Sequence, residues 1–285
     1  MLTSVRLVDG DQEMILLPAQ DQGIRLQKLD VPGPAIREVS ESRVDDDGER
    51  DTTKLHGARA CSIDLLVTHD ARAVEEELTP FCLPEARPYL VVADDEWLQE
   101  RRLMLRVDQF AAPLGVDLPR RMRNIQAQWK VPDGIWEAAV EAEEIVNADQ
   151  PATEGRTYPK AYPRSYPATT ATGATLITNP GRKRAHFVAR LYGPCSGPRL
   201  INETTGEQIA FLPSLSLAAG EYLEVNSREH TALLLSMPDA SRLGYVDFAA
   251  TAWWQLQSGE QQIRYAPQSV GTGAQAVITY RPAWL

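Results

Sequence analysis

Apolar and polar residues alternate with a period of two through much of this chain, a pattern that predicts strands with one face in a core. In the first part EMILLPA, GIRLQKLDV and GARACSIDLLV read as strands, and in the last of these Cys61, Ile63, Leu65 and Val67 alternate with polar or small neighbours. PYLVVA follows, then RRLMLRVDQF with Leu103, Leu105 and Val107 on one face, then NIQAQWKV with Ile125, Ala127, Trp129 and Val131 on one face. Between the early strands RVDDDGERD concentrates charge, and its Asp47-Gly48 pair suits a tight hairpin turn because both residues tolerate positive φ. Only one stretch has clear helical spacing. Asp70 is placed to cap a helix whose Val74, Leu78 and Phe81 fall at i, i+4 and i+7, with Pro84 ending the pattern. Residues 137–146, EAAVEAEEIV, fit either a helix or a strand.

The pattern changes in PATEGRTYPKAYPRSYP, where Tyr158, Tyr162 and Tyr166 are each followed by proline. Proline fixes φ and removes a donor, so this stretch reads as an extended connector between domains, or as a belt that docks on a neighbouring subunit. The expected organisation is therefore an N-terminal β domain over 1–150, a Tyr/Pro-rich linker over 151–168 and a C-terminal domain over 169–285. The last part is again short strands between turns: ATLIT, AHFVARLY, PRLINETTGEQIAF, GEYLEVNS, TALLL, TAWWQL, QQIRY and AVITYR. Strands at that spacing without helices indicate a β-sandwich or jelly roll. Gly206, Gly220 and Gly259 each stand just before a strand, where a residue without Cβ can make the turn.

Length and charge narrow the function. A chain of 285 residues has room for two cores, and 43% hydrophobic residues are enough to form them. A net charge of -10 disfavours a sequence-independent nucleic-acid partner, which needs an excess of Lys and Arg, and disfavours anionic membrane surfaces for the same reason. No apolar run approaches the roughly 18 residues of a membrane span, and no apolar export segment is visible near Met1. Three cysteines, Cys61, Cys82 and Cys195, without C-x-x-C spacing suit free thiols in a reducing compartment.

Candidate chemistry is sparse. His56, His69, His186 and His230 are too scattered for a zinc cluster, so no metal and no cofactor is expected. No G-x-S-x-G elbow marks a serine nucleophile, and GTGAQA at 271–276 reads as a turn between strands. The acidic runs Asp45–Asp47, Glu75–Glu77 and Glu141, Glu143, Glu144 could supply a glycosidase pair, but adjacent carboxylates more commonly form a solvated face. No catalytic residue is assigned. Trp253 and Trp254 would point to opposite faces of a strand, one into the core and one outward, where it could stack on a sugar or a partner protein. With Tyr158, Tyr162 and Tyr166 they are the candidate contact residues.

In the second domain YGPCSGPRLINETTGEQIAF, SLSLAAGEYLEVNS, TAWWQLQSGEQQIRY and AVITYRPAWL together resemble, in order, the distal tail proteins of long-tailed non-contractile bacteriophages. In the first, GARACSIDLLV, DARAVEEELTPFCLP, PYLVVA and IQAQWKVPDGIW resemble the same family. The resemblance implies a mainly β fold: an N-terminal β-sandwich-like domain with one short helix, and a C-terminal galectin-like, jelly-roll β-sandwich. It implies a homohexameric ring, built by the N-terminal domains, at the distal end of the virion tail. Such a ring joins the tail tube protein to the tail-tip hub protein and gives peripheral proteins a platform, with the tape measure and receptor-binding proteins as further partners. AHFVARLYG does not reproduce the His, Asn and Arg cluster of true galectins, so sugar binding is not implied. A carbohydrate-binding module for host attachment and a jelly-roll glycoside hydrolase are the alternatives.

Overall fold

The computed structural model describes residues 1–17, 23–37, 41–42, 49–50, 54–68, 70–111, 123–148, 173–235 and 240–285. The chain divides into two compact units, Met1–Val140 with Trp284–Leu285, and Glu141–Ala283. Both are built mainly of antiparallel strands.

In the first unit, β1 (Leu2–Asp9) pairs with β2 (Gln12–Leu17), and β3 (Ile24–Asp30) lies against β4 (Arg59–Val67). β1 also pairs with β5 (Tyr89–Asp94), which pairs with β6 (Arg101–Met104), and β6 in turn pairs with a short strand at Trp136–Ala138. The second sheet places β7 (Arg106–Ala111), β8 (Arg123–Val131), β4 and β3 side by side. Ribbons of two residues join Ile36–Arg37 to Leu55–His56 and Glu41–Ser42 to Glu49–Arg50. The Asp47-Gly48 turn lies outside the described residues.

The expected period of two sets this core. Cys61, Ile63, Leu65 and Val67 of β4 are buried and stand opposite Trp129, Ala127, Ile125 and Arg123 of β8. Val5 and Leu7 of β1, which the pattern reading passed over, are fully buried against Val92 and Leu90 of β5. RRLMLRVDQF is two strands rather than one. β6 belongs to the sheet of β5, β7 to that of β8, and Leu105 at the corner donates its N–H to Pro88 O at 2.8 Å. Both Leu103 and Leu105 are fully buried, so the alternation runs on while the strand changes sheet.

The helix α1 (Ala71–Leu78) starts where expected, with the Asp70 carboxylate accepting the Ala73 N–H at 3.4 Å. It ends ahead of Pro84 because Pro80 has no N–H to continue the ladder, and Thr79–Cys82 tightens into a 3-10 turn. Val74, Leu78 and Phe81 are all buried, and Trp129 Nε1 donates to Phe81 O at 3.2 Å, fastening the turn to the sheet.

The second unit begins with β9 (Ala142–Asn147), so residues 137–146 resolve as two separate strand pieces. After β10 (Ala174–Asn179) come β11 (Phe187–Tyr192), β12 (Arg199–Asn202), β13 (Glu207–Ala210), β14 (Tyr222–Asn226) and β15 (Thr231–Leu234). β16 (Gly259–Tyr265) and β17 (Gln275–Tyr280) complete the main strands. One sheet runs β9, β17, β11, β14, β15 and a short edge at Ala240–Ser241; the other runs β10, β16, β12, β13. Alternate residues of both, among them Ala189, Leu191, Leu223, Val225 and Ile278, and Ile177, Leu200, Ile209, Ile263 and Tyr265, are buried.

The turn in INETTGEQ shows how local chemistry sets this topology. Asn202 Oδ1 accepts the N–H groups of Thr204 and Thr205 at 3.1 and 3.2 Å, and Gly206 turns the chain at φ 76 into β13. TAWWQL, expected to be a strand, is irregular: Ala252 N donates to Gln208 O at 2.9 Å, Thr251 Oγ1 bonds to the backbone of Ala210, and Leu256 bridges to Ala185.

The division between units comes earlier than the boundary at 150. β9 pairs along its full length with β17, from Ala142–Tyr280 to Asn147–Gln275, and so belongs to the second unit. Ala148 and Gly173, the described residues on either side of the Tyr/Pro-rich stretch, both belong to that unit, and the stretch itself lies outside the described residues.

Candidate functional site

The titratable groups show structural employment. Glu75 pairs with Arg123 at 2.8 Å and Glu76 with Arg72 at 3.0 Å, while Glu141 pairs with Arg281 at 3.0 Å. Glu143 lies exposed on the edge strand β9. Among the described residues no three His, Cys, Asp or Glu side chains group as a metal site. His56 is exposed, His186 shares a hydrogen bond of 3.2 Å with Gln255, and His69 and Asp45–Asp47 lie outside the described residues.

All three cysteines are free. Burial pushes the Cys61 and Cys82 thiols up to about 12, which keeps them protonated and unreactive at neutral pH. Burial also raises the Cys195 thiol, although its contact with the Tyr265 hydroxyl at 3.2 Å works the other way.

The tryptophan pair has two different environments. Trp254 is 2% exposed and packs on Phe187 with ring centroids 4.4 Å apart, so it serves the core and is closed to an outside partner. Trp253 is half-buried, and His230 stacks on it at 4.9 Å with planes 15° apart. The turn before β15 puts His230 there: Asn226 Oδ1 accepts the N–H groups of Arg228 and Glu229, and His230 takes a left-handed φ of 54. A β-carbon makes that conformation uncommon outside glycine, although His is among the residues that adopt it. His230 covers one face of Trp253, leaving at most the other for a ligand. Tyr158, Tyr162 and Tyr166 lie outside the described residues.

What the two units do present is edge and apolar surface. β2, β3 and β7 lie at sheet edges in the first unit, and β9 and β10 in the second; β13 is also last in its sheet, but its outer side is covered, with Ala252 N donating to Gln208 O and Asp247 N to Ala210 O, both at 2.9 Å. The second unit also exposes Leu212 at 38%, Leu243 at 38%, Tyr245 at 39% and Phe248 at 64%. The backbone brings them together: Leu212 N donates to Tyr245 O at 2.8 Å, Phe211 bridges to Val246, and Leu243–Tyr245 form a single 3-10 turn. Period-two reading could not find this group, because its members come from loops. No helix among the described residues is long and apolar enough to cross a membrane.

No known family model matches the sequence, and no curated protein matches it significantly. Solved structures do match. The SPP1 Dit (gp 19.1) protein, described as a paradigm of the hub adsorption apparatus of phages infecting Gram-positive bacteria, superposes with a TM-score of 0.65 over 99% of both chains at 12% identity. The fold is Dit-like. Chains of the phage P2 baseplate in its activated conformation also match, with TM-scores of 0.55 with calcium and 0.54 with strontium, each at 10% identity. The calcium form covers 99% of this chain and 98% of its own, the strontium form 98% and 97%. At such low identity the likeness resides in the order and pairing of strands. Across a Dit-like fold of this length it takes in both units.

Proposed function

We propose that this protein is a structural component of a phage tail tip. It assembles as a homohexameric ring that joins the tail tube to the tail-tip hub, and its outward-facing second units form a platform for peripheral tail proteins. Its place is the distal end of the tail in the virion, after synthesis in the host cytoplasm. The tape measure and receptor-binding proteins are its further neighbours.

The observation that carries this reading is the match to SPP1 Dit over 99% of each chain, which includes both units rather than one widespread sandwich. The chemistry agrees with it. A ring needs stable cores and edges that accept a neighbour, and it needs no nucleophile or metal. Glu75, Glu76 and Glu141 are engaged in ion pairs, and two of the thiols are held protonated by burial. Gold-labelled antibody against the protein, applied to phage particles that encode it, is expected to mark the tail end away from the head. Label on the head, or no label on intact particles, would contradict the proposal.

A further inference from the structure

The first unit is not one stretch of chain. Residues 1–140 make most of it, and Trp284 and Leu285 join it after the whole of the second unit. The sheet that starts at β2 runs through β1, β5, β6 and Trp136–Ala138 and ends on the short strand that carries Trp284. Without that strand, Trp136–Ala138 would be an edge paired only on the side of β6, where Ala138 stands opposite Arg101 and Glu137 opposite Arg102.

A strand of two residues holds weakly through its backbone, and here side chains fasten it. The Arg101 guanidinium carbon lies 4.3 Å from the centre of the Trp284 ring and 4.2 Å from that of the Trp97 ring. Trp97 in turn meets Trp136 edge-on, with ring centroids 5.4 Å apart. Trp136 is buried, and Trp97 and Trp284 are partly buried against the same core. A guanidinium over an aromatic face is attracted by the ring quadrupole, and more strongly where water is excluded. Trp284, Arg101, Trp97 and Trp136 thus form a line from the returning residue to the core of the first unit.

The second unit is built to deliver that residue. Its first strand, β9, pairs with its last main strand, β17, with Ala142 opposite Tyr280, and Glu141 pairs with Arg281 at 3.0 Å. Folding of the second unit therefore sets residue 141, which follows Val140, beside residue 281, which precedes Trp284 by three positions. The local concentration of Trp284 at the sheet edge then far exceeds what an unfolded chain of the same length would give.

We propose that Trp284 is a clasp: the second unit, once folded, returns it to the edge at Trp136–Ala138, so that the first unit closes only after the second has formed. The clasp also denies that edge to a second copy of the chain. This goes beyond the tail-tip reading and does not depend on it.

Hydrogen-deuterium exchange of the full-length protein, read by mass spectrometry, tests the clasp. Trp284→Ala should speed exchange in 136–138 roughly tenfold and leave β11 and β14 at their wild-type rates. Arg101→Met, which removes the charge at similar length, should loosen the same edge, and Trp284→Phe, which keeps an aromatic face, should stay near the wild type. Ile278→Val, a change in the core of the second unit, should speed 142–147 and 136–138 together while β1 keeps its rate. Unchanged exchange in 136–138 of Trp284→Ala would overturn the clasp, and so would equal acceleration of β14, which would mean a general loss of stability. Acceleration of 142–147 without 136–138 in Ile278→Val would overturn the dependence on the second unit. Position on the virion is read separately on wild-type particles, so failure of the clasp and failure of the tail-tip reading are distinguishable.

Discussion

Trp253 and Trp254 are adjacent in sequence but have opposite roles, and truncating each should show it. Trp254→Ala removes a fully enclosed ring that packs on Phe187, and losses of this kind cost about 3 to 5 kcal/mol. Trp253→Ala removes a half-buried ring capped only by His230 on one face, and should cost about 1 kcal/mol or less. Urea unfolding followed by circular dichroism checks both, and equal costs would mean that the two environments are misassigned. The sequence made the opposition of the two rings readable, because neighbours on an extended chain face opposite ways even where no strand forms. It did not show which ring is inside. That depends on Phe187, which arrives with β11, and on His230, which arrives from the turn before β15.

Among elements, the local pattern was readable wherever one face alone decides burial. β4 and β8 follow their alternation residue by residue, and the cap at Asp70 begins α1 where a helix was expected. Two failures share a cause. RRLMLRVDQF looks like one strand because Leu103 and Leu105 are both buried, yet they sit on either side of a corner between sheets. The first strand was passed over because only Val5 and Leu7 mark it, and its place is fixed by pairing with β5 from far along the chain.

Turns carry a comparable tertiary signature. Gly134 has φ +61, its carbonyl accepts the buried Arg59 guanidinium, and a Cβ there would stand 2.6 Å from Gly57 O. Gly134→Ala should therefore combine left-handed strain with a backbone clash and cost roughly 2 to 4 kcal/mol. Gly10→Ala, at φ +59 with open space around it, should cost only about 1 to 2 kcal/mol. Thermal melts of the two variants check the difference. Similar shifts would show that the close approach around Gly57 relaxes freely.

At the scale of the whole molecule, the candidate surfaces were the least readable part. The edges of a sheet are defined by which strands lack a neighbour, and the exposed group at Leu212, Leu243, Tyr245 and Phe248 is assembled from loops, so neither leaves a periodic trace. The boundary between units was placed late for the same reason: the pairing of β9 with β17 joins residues more than a hundred positions apart. The order of turn motifs did carry information, because the strands they connect superpose over 99% of a chain that shares only 12% identity.

The central claim is assembly into a ring, and the measurement that addresses it most directly is the solution mass of the purified protein by light scattering, with negative-stain images of the same sample. The account predicts a species six times the 31.6 kDa of the chain, seen as rings with six-fold symmetry. A monomer that persists at high concentration and in the presence of the tail tube and hub proteins would contradict it.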